Sequence, residues 1–392
     1  IMQSLWSDGE AAGFRGDLAQ RVYTSRLLGR DKSLVLHGGG NTSVKIRERN
    51  LLGDEEEILY VKGSGWDLEL IEEAGFSPVR MPHLLRLAQL DALTDPQMVN
   101  ELVTHLTRAS APAPSVETIL HALLPHKYVD HTHSDAVLAI TNTPDGERHI
   151  REIYGDRVVV IPYVMPGFDL AKLCAQLFPQ QAGPRTTGMV LLNHGIFSFG
   201  ATARESYERM IELVDMAERY LAKHGAWQLP ATKVQTTPRV PVTAVAQLRK
   251  DISLEAGNPM FVATISTAKT LAYAQRADIA TISQQGPATP DHVIRTKRLP
   301  MLGRDVKRYA ESYRDYFAEI EPQAKERKMM LDAAPRAVID PELGLCTVGR
   351  TVKDAAKILR GRYGNRGGKH RRETLRLIRD EIIRRRIERA RG

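Results

Sequence analysis

Along the chain, stretches with helical periodicity alternate with short apolar runs bounded by glycine, the pattern of a mixed α/β protein. DLAQRVYTSRLL, residues 17 to 28, reads as a helix. SLVLHGGGNTSVKI, from residue 33, reads as a strand, a glycine turn and a second strand, and EILYVKGSG, 57 to 65, as a strand closed by another glycine-rich turn. A helix covers the 80s. PSVETILHALLP, 114 to 125, is a helix opened by Pro114 and Ser115, with Glu117 in its first turn and Pro125 as its stop. KYVDHTH and AVLAITN alternate around a turn, DRVVVIP is a strand, and FDLAKLCAQLF is a helix with one apolar face. TTGMVLLNHGIFSFG, 186 to 200, is an apolar strand pair interrupted by Asn193-His194-Gly195, and residues 203 to 226 form a long amphipathic helix.

A proline-rich join, LPATKVQTTPRVPVTAVAQ, marks a domain boundary. Beyond it come a helix near 268 to 275, a strand around IATI, the segment SQQGPATPDHVIRTKR, a helix containing YAESYRDYFAEI, and the strands RAVIDP and GLCTVG. The division is therefore a first domain over 1–230, a small α/β domain over 231–355 and a basic helical tail over 356–392. Composition changes the picture in one respect. The net charge of +8 is concentrated at the end, where residues 360 to 392 carry 13 Lys and Arg against 4 Asp and Glu, so the body is near neutral. The basicity argues for non-specific phosphate contact by the tail at most, and nothing resembles a module that reads nucleic-acid sequence. Two cysteines, Cys174 and Cys346, give no disulfide framework. No apolar run is long enough to span a membrane and no leader pattern opens the chain, so a cytoplasmic protein is expected.

The chemistry concentrates in DHTHSDA, 130 to 136. Side chains at i and i+2 of a strand share a face, so His131 and His133 could converge on one ion, although such pairs also occur as solvated histidines. His194 is the candidate third ligand, because it interrupts an apolar strand and precedes a glycine that permits close approach. Taken alone it could equally be a core histidine. Glu117 is the candidate general acid/base beside that metal. Successive backbone N–H groups and hydroxyls in GGGNTS, 38 to 43, and KGSG, 62 to 65, could cradle a phosphate. Neither loop is a dinucleotide or Walker fingerprint. His292, Arg295 and Lys297 make a short basic segment that reads either as a contact for an anionic substrate or as a solvated strand.

The order HGGGNTS, VKGSG, PSVE, HTH, NHG resembles the class II aldolase/adducin family over residues 15 to 230. GPATPDHVIRTKR and GLCTVGRTVKDA further resemble the aldolase half of bifunctional proteins that join a rhamnulose-phosphate-type aldolase to a short-chain dehydrogenase. Where those continue into a dehydrogenase, this chain turns into LRGRYGNRGGKHRRETL. The resemblance implies an α/β/α fold with a central, largely antiparallel sheet, and a homo-oligomer, a tetramer above all. It implies Zn2+, with Mn2+ or Co2+ able to take its place, on His131, His133 and His194, and Glu117 as acid/base with its pKa raised when substrate is bound. It also implies a sugar phosphate as substrate, anchored by Gly40, Asn41, Thr42, Ser43, Gly63, Ser64, Gly65 and Ser115. Ser115-Val116-Glu117 stands where the family has Ser-Ser-Glu, which removes one hydroxyl from the anion site. The implied reaction is reversible cleavage of a ketose 1-phosphate of the rhamnulose or fuculose kind, giving dihydroxyacetone phosphate and an aldehyde. Asp135 and Tyr163 are candidates for the proton donor on the aldehyde side, Asp135 also for holding a histidine in its ligating tautomer. A 4-epimerase and a decarboxylase acting on an oxo-tetronate phosphate would share the metal site, and a non-catalytic adducin-like scaffold would share the fold.

Overall fold

Period-2 runs rich in valine and isoleucine build the centre of the first half of the chain. A computed structural model describes residues 1–226, 240–324 and 327–363. These fall in two units divided at Trp227 and Gln228.

The first unit carries a seven-stranded sheet made of β1 (Asn41–Arg49), β2 (Glu55–Lys62), β3 (Phe76–Arg80), β4 (Tyr128–Thr132), β5 (Val158–Ile161), β6 (Gly188–Leu191) and β7 (Gly195–Gly200). Their order across the sheet is β3-β2-β1-β4-β7-β6-β5. Every pairing is antiparallel except β5 with β6. The helices are α1 (Asp8–Ala11), α2 (Asp17–Arg30), α3 (Met81–Leu87), α4 (Asp95–Thr104), α5 (Thr118–Leu123), α6 (Asp135–Thr141), α7 (Gly146–Tyr154), α8 (Phe168–Gln181) and α9 (Ala203–Lys223). Helices α3, α5 and α8 pack together on one face, and α2, α6, α7 and α9 on the other, giving the expected α/β/α layers. A continuous core including Leu59, Val61, Leu84, Ile119, Phe168 and Phe197 lies on the α5 and α8 side.

Strand alternation decides what each face receives. Thr42 pairs with Asp130 across β1 and β4, and both turn toward α2, where Thr42 Oγ1 meets Ser25 Oγ at 2.8 Å and Asp130 forms a fully buried ion pair with Arg21. Asn41, Ser43 and His131 take the opposite face, toward α5.

The second unit has its own sheet, ordered β8-β11-β10-β9, from β8 (Phe261–Ile265), β9 (Met301–Leu302), β10 (Ala337–Asp340) and β11 (Gly344–Gly349). Its helices are α10 (Val242–Ala256), α11 (Ala268–Ala274), α12 (Ile279–Ile282), α13 (Pro290–Arg295), α14 (Val306–Ile320) and α15 (Val352–Tyr363). Leu248 and Ile252 of α10, Val306 of α14, Val338 and Cys346 share one core.

Five expectations change. SLVL is a turn rather than a strand, although Leu34, Val35 and Leu36 are buried. AVLAIT is helix α6, every residue of it from Ala136 to Thr141 buried, and an apolar run buried all round has no period to betray it. IATI is the single-turn helix α12, and PDHVIR is helix α13, with Pro290 in its first turn rather than at a strand-side turn. The join also ends earlier than its composition indicates, since VTAVAQ opens α10 behind Pro241. Residues 227–239 and the arginine-rich segment from 364 onward lie outside the described residues. Among the described residues no helix is long and apolar enough to cross a membrane.

Candidate metal centre

The glycine-to-strand junctions bring the polar motifs together. His131 is the fourth residue of β4 and His133 follows its end, so both imidazoles leave on one side, with their Nε2 atoms 3.1 Å apart. His194 arrives from the turn between β6 and β7. That turn is possible because Asn193 adopts a left-handed conformation, φ 60°, and its Nδ2 donates to the Thr141 carbonyl and to Asn142 Oδ1, each at 3.1 Å. Gly195 then lets the turn close on β4, since a Cβ there would sit 2.4 Å from the Thr132 carbonyl oxygen and 2.9 Å from His131 Cε1.

One ligand atom from each of the three histidines lies within 4.8 Å of the other two. Glu117, at the N-cap of α5 rather than in its first turn, places Oε2 3.5 Å from His131 Nε2 and Oε1 3.4 Å from His194 Nε2. All four side chains are buried. Ligands about 2.0 to 2.1 Å from a tetrahedral ion are separated by about 3.3 Å, and the 3.1 Å between the Nε2 atoms of His131 and His133 is close to that edge. His131 Nδ1 points to the Ile196 carbonyl at 3.2 Å, which fixes Nδ1–H as donor and leaves the Nε2 lone pair for the centre. That orienting role, expected of Asp135, therefore belongs for His131 to a backbone carbonyl. The donor set is buried, soft enough and spaced for a divalent transition metal, so it fits the cofactor the motifs imply.

A second group, His83, Glu101 and His105, also brings donors together. Its two imidazoles stack face to face, with centroids 3.2 Å apart and planes 4° from parallel. Lone pairs in parallel ring planes cannot converge on one ion, whereas the rings at His131, His133 and His194 stand 4.8 to 5.3 Å apart and are inclined to one another.

Burial pushes the Glu117 carboxyl up, but His131, His194 and a hydrogen bond from Asn41 outweigh it and hold the group at about 2. Burial also drives His131 well below the usual histidine range, against the pull of Glu117.

The anion cradle is smaller than the motifs indicate. Thr42 and Ser43 are fully buried, Thr42 on Ser25 and Ser43 Oγ on His121 Nδ1 at 2.7 Å. The N–H groups of Gly63 and Ser64 are taken by the carbonyls of Gly75 and Ala113, both at 2.8 Å. Asn41 donates to Glu117 Oε2 at 2.6 Å and to Ser115 Oγ at 3.1 Å. What stays accessible is the exposed Ser64 and Gly65 and the partly buried Ser115. Gly40 holds the loop in place, since its φ is +61° and a Cβ would meet Val35 and the His131 carbonyl. Lys62, not singled out in the motifs, donates from Nζ to the Gly38 carbonyl at 2.9 Å and so ties the two glycine loops together. His121 was also missed, although its place four residues after Glu117 puts both on one helix face.

Tyr163 is half exposed, with its hydroxyl 4.0 Å from Met165 Sδ. Asp135 opens α6, its N–H on the Ser33 carbonyl. In the second unit, His292 is buried with Nδ1 2.7 Å from Thr289 Oγ1. Lys297 is buried over the Tyr313 ring at 3.6 Å, donating to the Asp332 carbonyl, and burial lowers its pKa to about 8. Both turn inward, and neither is the solvated charge that the basic segment led one to expect. The Arg295 backbone closes α13.

The fold and the buried triad are those of an aldolase-type α/β protein. The description "Class II Aldolase and Adducin N-terminal domain" matches residues 19–221, and "Aldolase class II, second domain" matches 240–363. The chain belongs to the class II aldolase/adducin family. Among solved structures it is similar to the N-terminal class II aldolase domain of a conserved protein from Thermoplasma acidophilum, at 44% identity and TM-score 0.52, covering 56% of this chain and 100% of that one. Among curated proteins it is 28% identical over 375 residues to "Uncharacterized oxidoreductase YuxG" of Bacillus subtilis (strain 168), covering 90% of this chain. The chain spans about half that relative's length, 53%.

Proposed function

We propose that the chain is a metal-dependent aldolase that reversibly cleaves a ketose 1-phosphate of the rhamnulose or fuculose kind to dihydroxyacetone phosphate and an aldehyde, with zinc as its metal. One observation carries the reading: three buried imidazoles bring ligand atoms within 4.8 Å of one another, with the Glu117 carboxylate 3.5 Å from His131 and 3.4 Å from His194. A scaffold that only kept the fold would have no need to gather three imidazoles and a carboxylate in its interior, where polar groups are costly to bury.

His131, His133 and His194 would hold the zinc, which would supply Lewis acidity to the oxygen of the carbonyl next to the breaking bond. Glu117 takes the proton from the ketone donor in synthesis and returns it in cleavage, its charged form kept ready by Asn41. Ser64, Gly65 and Ser115 anchor the phosphate, with Lys62 adding charge between the loops and Gly40 and Gly63 shaping the backbone that carries them. Asp135 and Tyr163 remain the candidates for the aldehyde-side donor. The proposed form is a homo-oligomer, a tetramer above all. The relative's oxidoreductase name describes a chain about twice this length and is not part of this proposal.

The test is metal content together with a cleavage panel of rhamnulose, fuculose and ribulose phosphates, the free ketoses and a 3-oxo-tetronate phosphate. Bound zinc with dihydroxyacetone phosphate released from a ketose 1-phosphate supports the reading. Interconversion of ribulose and xylulose phosphates, or carbon dioxide from the oxo-acid, would replace it with the epimerase or the decarboxylase. No metal and no turnover after adding zinc, manganese or cobalt would sink all three.

A further inference from the structure

We infer that His121 is a positioning residue for Glu117, acting through Asn41 along a buried chain of hydrogen bonds that begins at Ser43. The inference rests on the role proposed for Glu117. Strand periodicity puts Asn41 and Ser43 on one face of β1, and both meet the same imidazole. Ser43 Oγ lies 2.7 Å from His121 Nδ1, His121 Nε2 lies 2.5 Å from Asn41 Oδ1, and Asn41 Nδ2 lies 2.6 Å from Glu117 Oε2.

The direction of the chain follows from its end. A carboxylate oxygen only accepts, so Asn41 must present its amino group to Glu117 and its carbonyl to His121. Nε2 of His121 is then the protonated nitrogen, and Nδ1 accepts from the Ser43 hydroxyl. Reversing the amide would put Asn41 Oδ1 against the Glu117 carboxylate. The second amino hydrogen of Asn41 goes to Ser115 Oγ at 3.1 Å, and that oxygen also accepts from the Glu117 N–H at 3.2 Å. Along the chain from Ser43 through His121 and Asn41, each donor thus points toward the carboxylate.

Packing alone does not account for this arrangement. Ser43 and His121 are fully buried, and an apolar pair of the same shape would fill the space without polar groups to satisfy. What the polar chain adds is a fixed orientation of the Asn41 amide, and with it the place of a carboxylate oxygen 3.5 Å from His131 Nε2. Without the His121 donor the amide can turn over, and the carboxylate loses its shortest hydrogen bond.

The variants His121→Gln and His121→Asn separate the possibilities, because glutamine carries an N–H at about the reach of Nε2 and asparagine does not. In metal-loaded protein, His121→Asn should lose about 10- to 100-fold in kcat with KM and zinc stoichiometry unchanged, and His121→Gln should recover most of it. Independently of turnover, the side-chain amide protons of Asn41, followed by 15N NMR, should exchange faster in His121→Asn than in His121→Gln. Equal kcat in both variants, or equal Asn41 exchange, would overturn the inference. If the unaltered protein cleaves nothing in the panel, the aldolase reading has failed, and the exchange measurement alone decides whether the chain orients Asn41.

Discussion

Gly195 shows how much of the site rests on single residues. Its missing side chain is what lets the His194 turn close against β4, with backbone and His131 atoms inside the space a Cβ would need. Gly195→Ala should cost about 1 to 3 kcal/mol from overpacking and, because it separates His194 from the pair on β4, should lower metal affinity more than stability. Calorimetric metal titration beside urea unfolding checks this; an alanine variant with unaltered affinity would mean that the turn tolerates the shift. The same scale explains what was legible. His131 and His133 could be read as a pair because the strand period and the size of a metal ion coincide, and His194 because a polar residue in an apolar run needs a reason. GGGNTS reads in sequence as one surface, whereas β1 sends Thr42 to one face and Asn41 and Ser43 to the other, a division only the strand's register reveals.

At the scale of elements, β1 and β4 are pinned by charges on both faces. Arg21 of α2 and Asp130 of β4 form an ion pair with no exposure to solvent, and Ser206 Oγ also donates to Asp130 at 2.5 Å. Removing one partner strands the other, so Arg21→Ala should destabilise the first unit by about 3 to 5 kcal/mol in chemical denaturation. A loss below about 1 kcal/mol would show that water or a neighbour replaces the guanidinium. Lys45, on β1, donates to the carbonyls of Leu124 and His126, and burial lowers its pKa to about 8 from 10.5. Below about pH 8 both folded and unfolded chains hold this proton; between about 8 and 10.5 only the unfolded chain does, so raising the pH favours the folded state. Relative to Lys45→Met, the native protein should gain about 2 kcal/mol between pH 8 and 9.5. A flat difference would mean that the lysine keeps its proton on its two carbonyls. Element types were least legible where burial is complete, as in α6, since a helix apolar on all sides and a core strand look alike in sequence.

For the whole molecule, a metal on the three histidines would join β4 to the β6–β7 turn, segments about sixty residues apart in sequence, and so would couple cofactor to fold. An ion present at a thousand times its Kd stabilises the first unit by about 4 kcal/mol, so chelation should lower that unit's unfolding midpoint by on the order of 10 °C. A chelator that leaves that midpoint unmoved in metal-loaded protein would contradict this placement of the metal.

The central claim is that Glu117, beside a metal on three histidines, moves a proton at carbon next to a carbonyl. The most direct measurement is proton exchange of dihydroxyacetone phosphate in D2O, followed by NMR with metal-loaded protein and no aldehyde present, so that it does not depend on knowing the sugar. The account predicts incorporation of a single deuterium at the carbon beside the carbonyl, with the rate falling about 100-fold or more in a Glu117→Gln variant that keeps its metal. No exchange by protein shown to hold metal on His131, His133 and His194, or exchange that persists in Glu117→Gln, would contradict it.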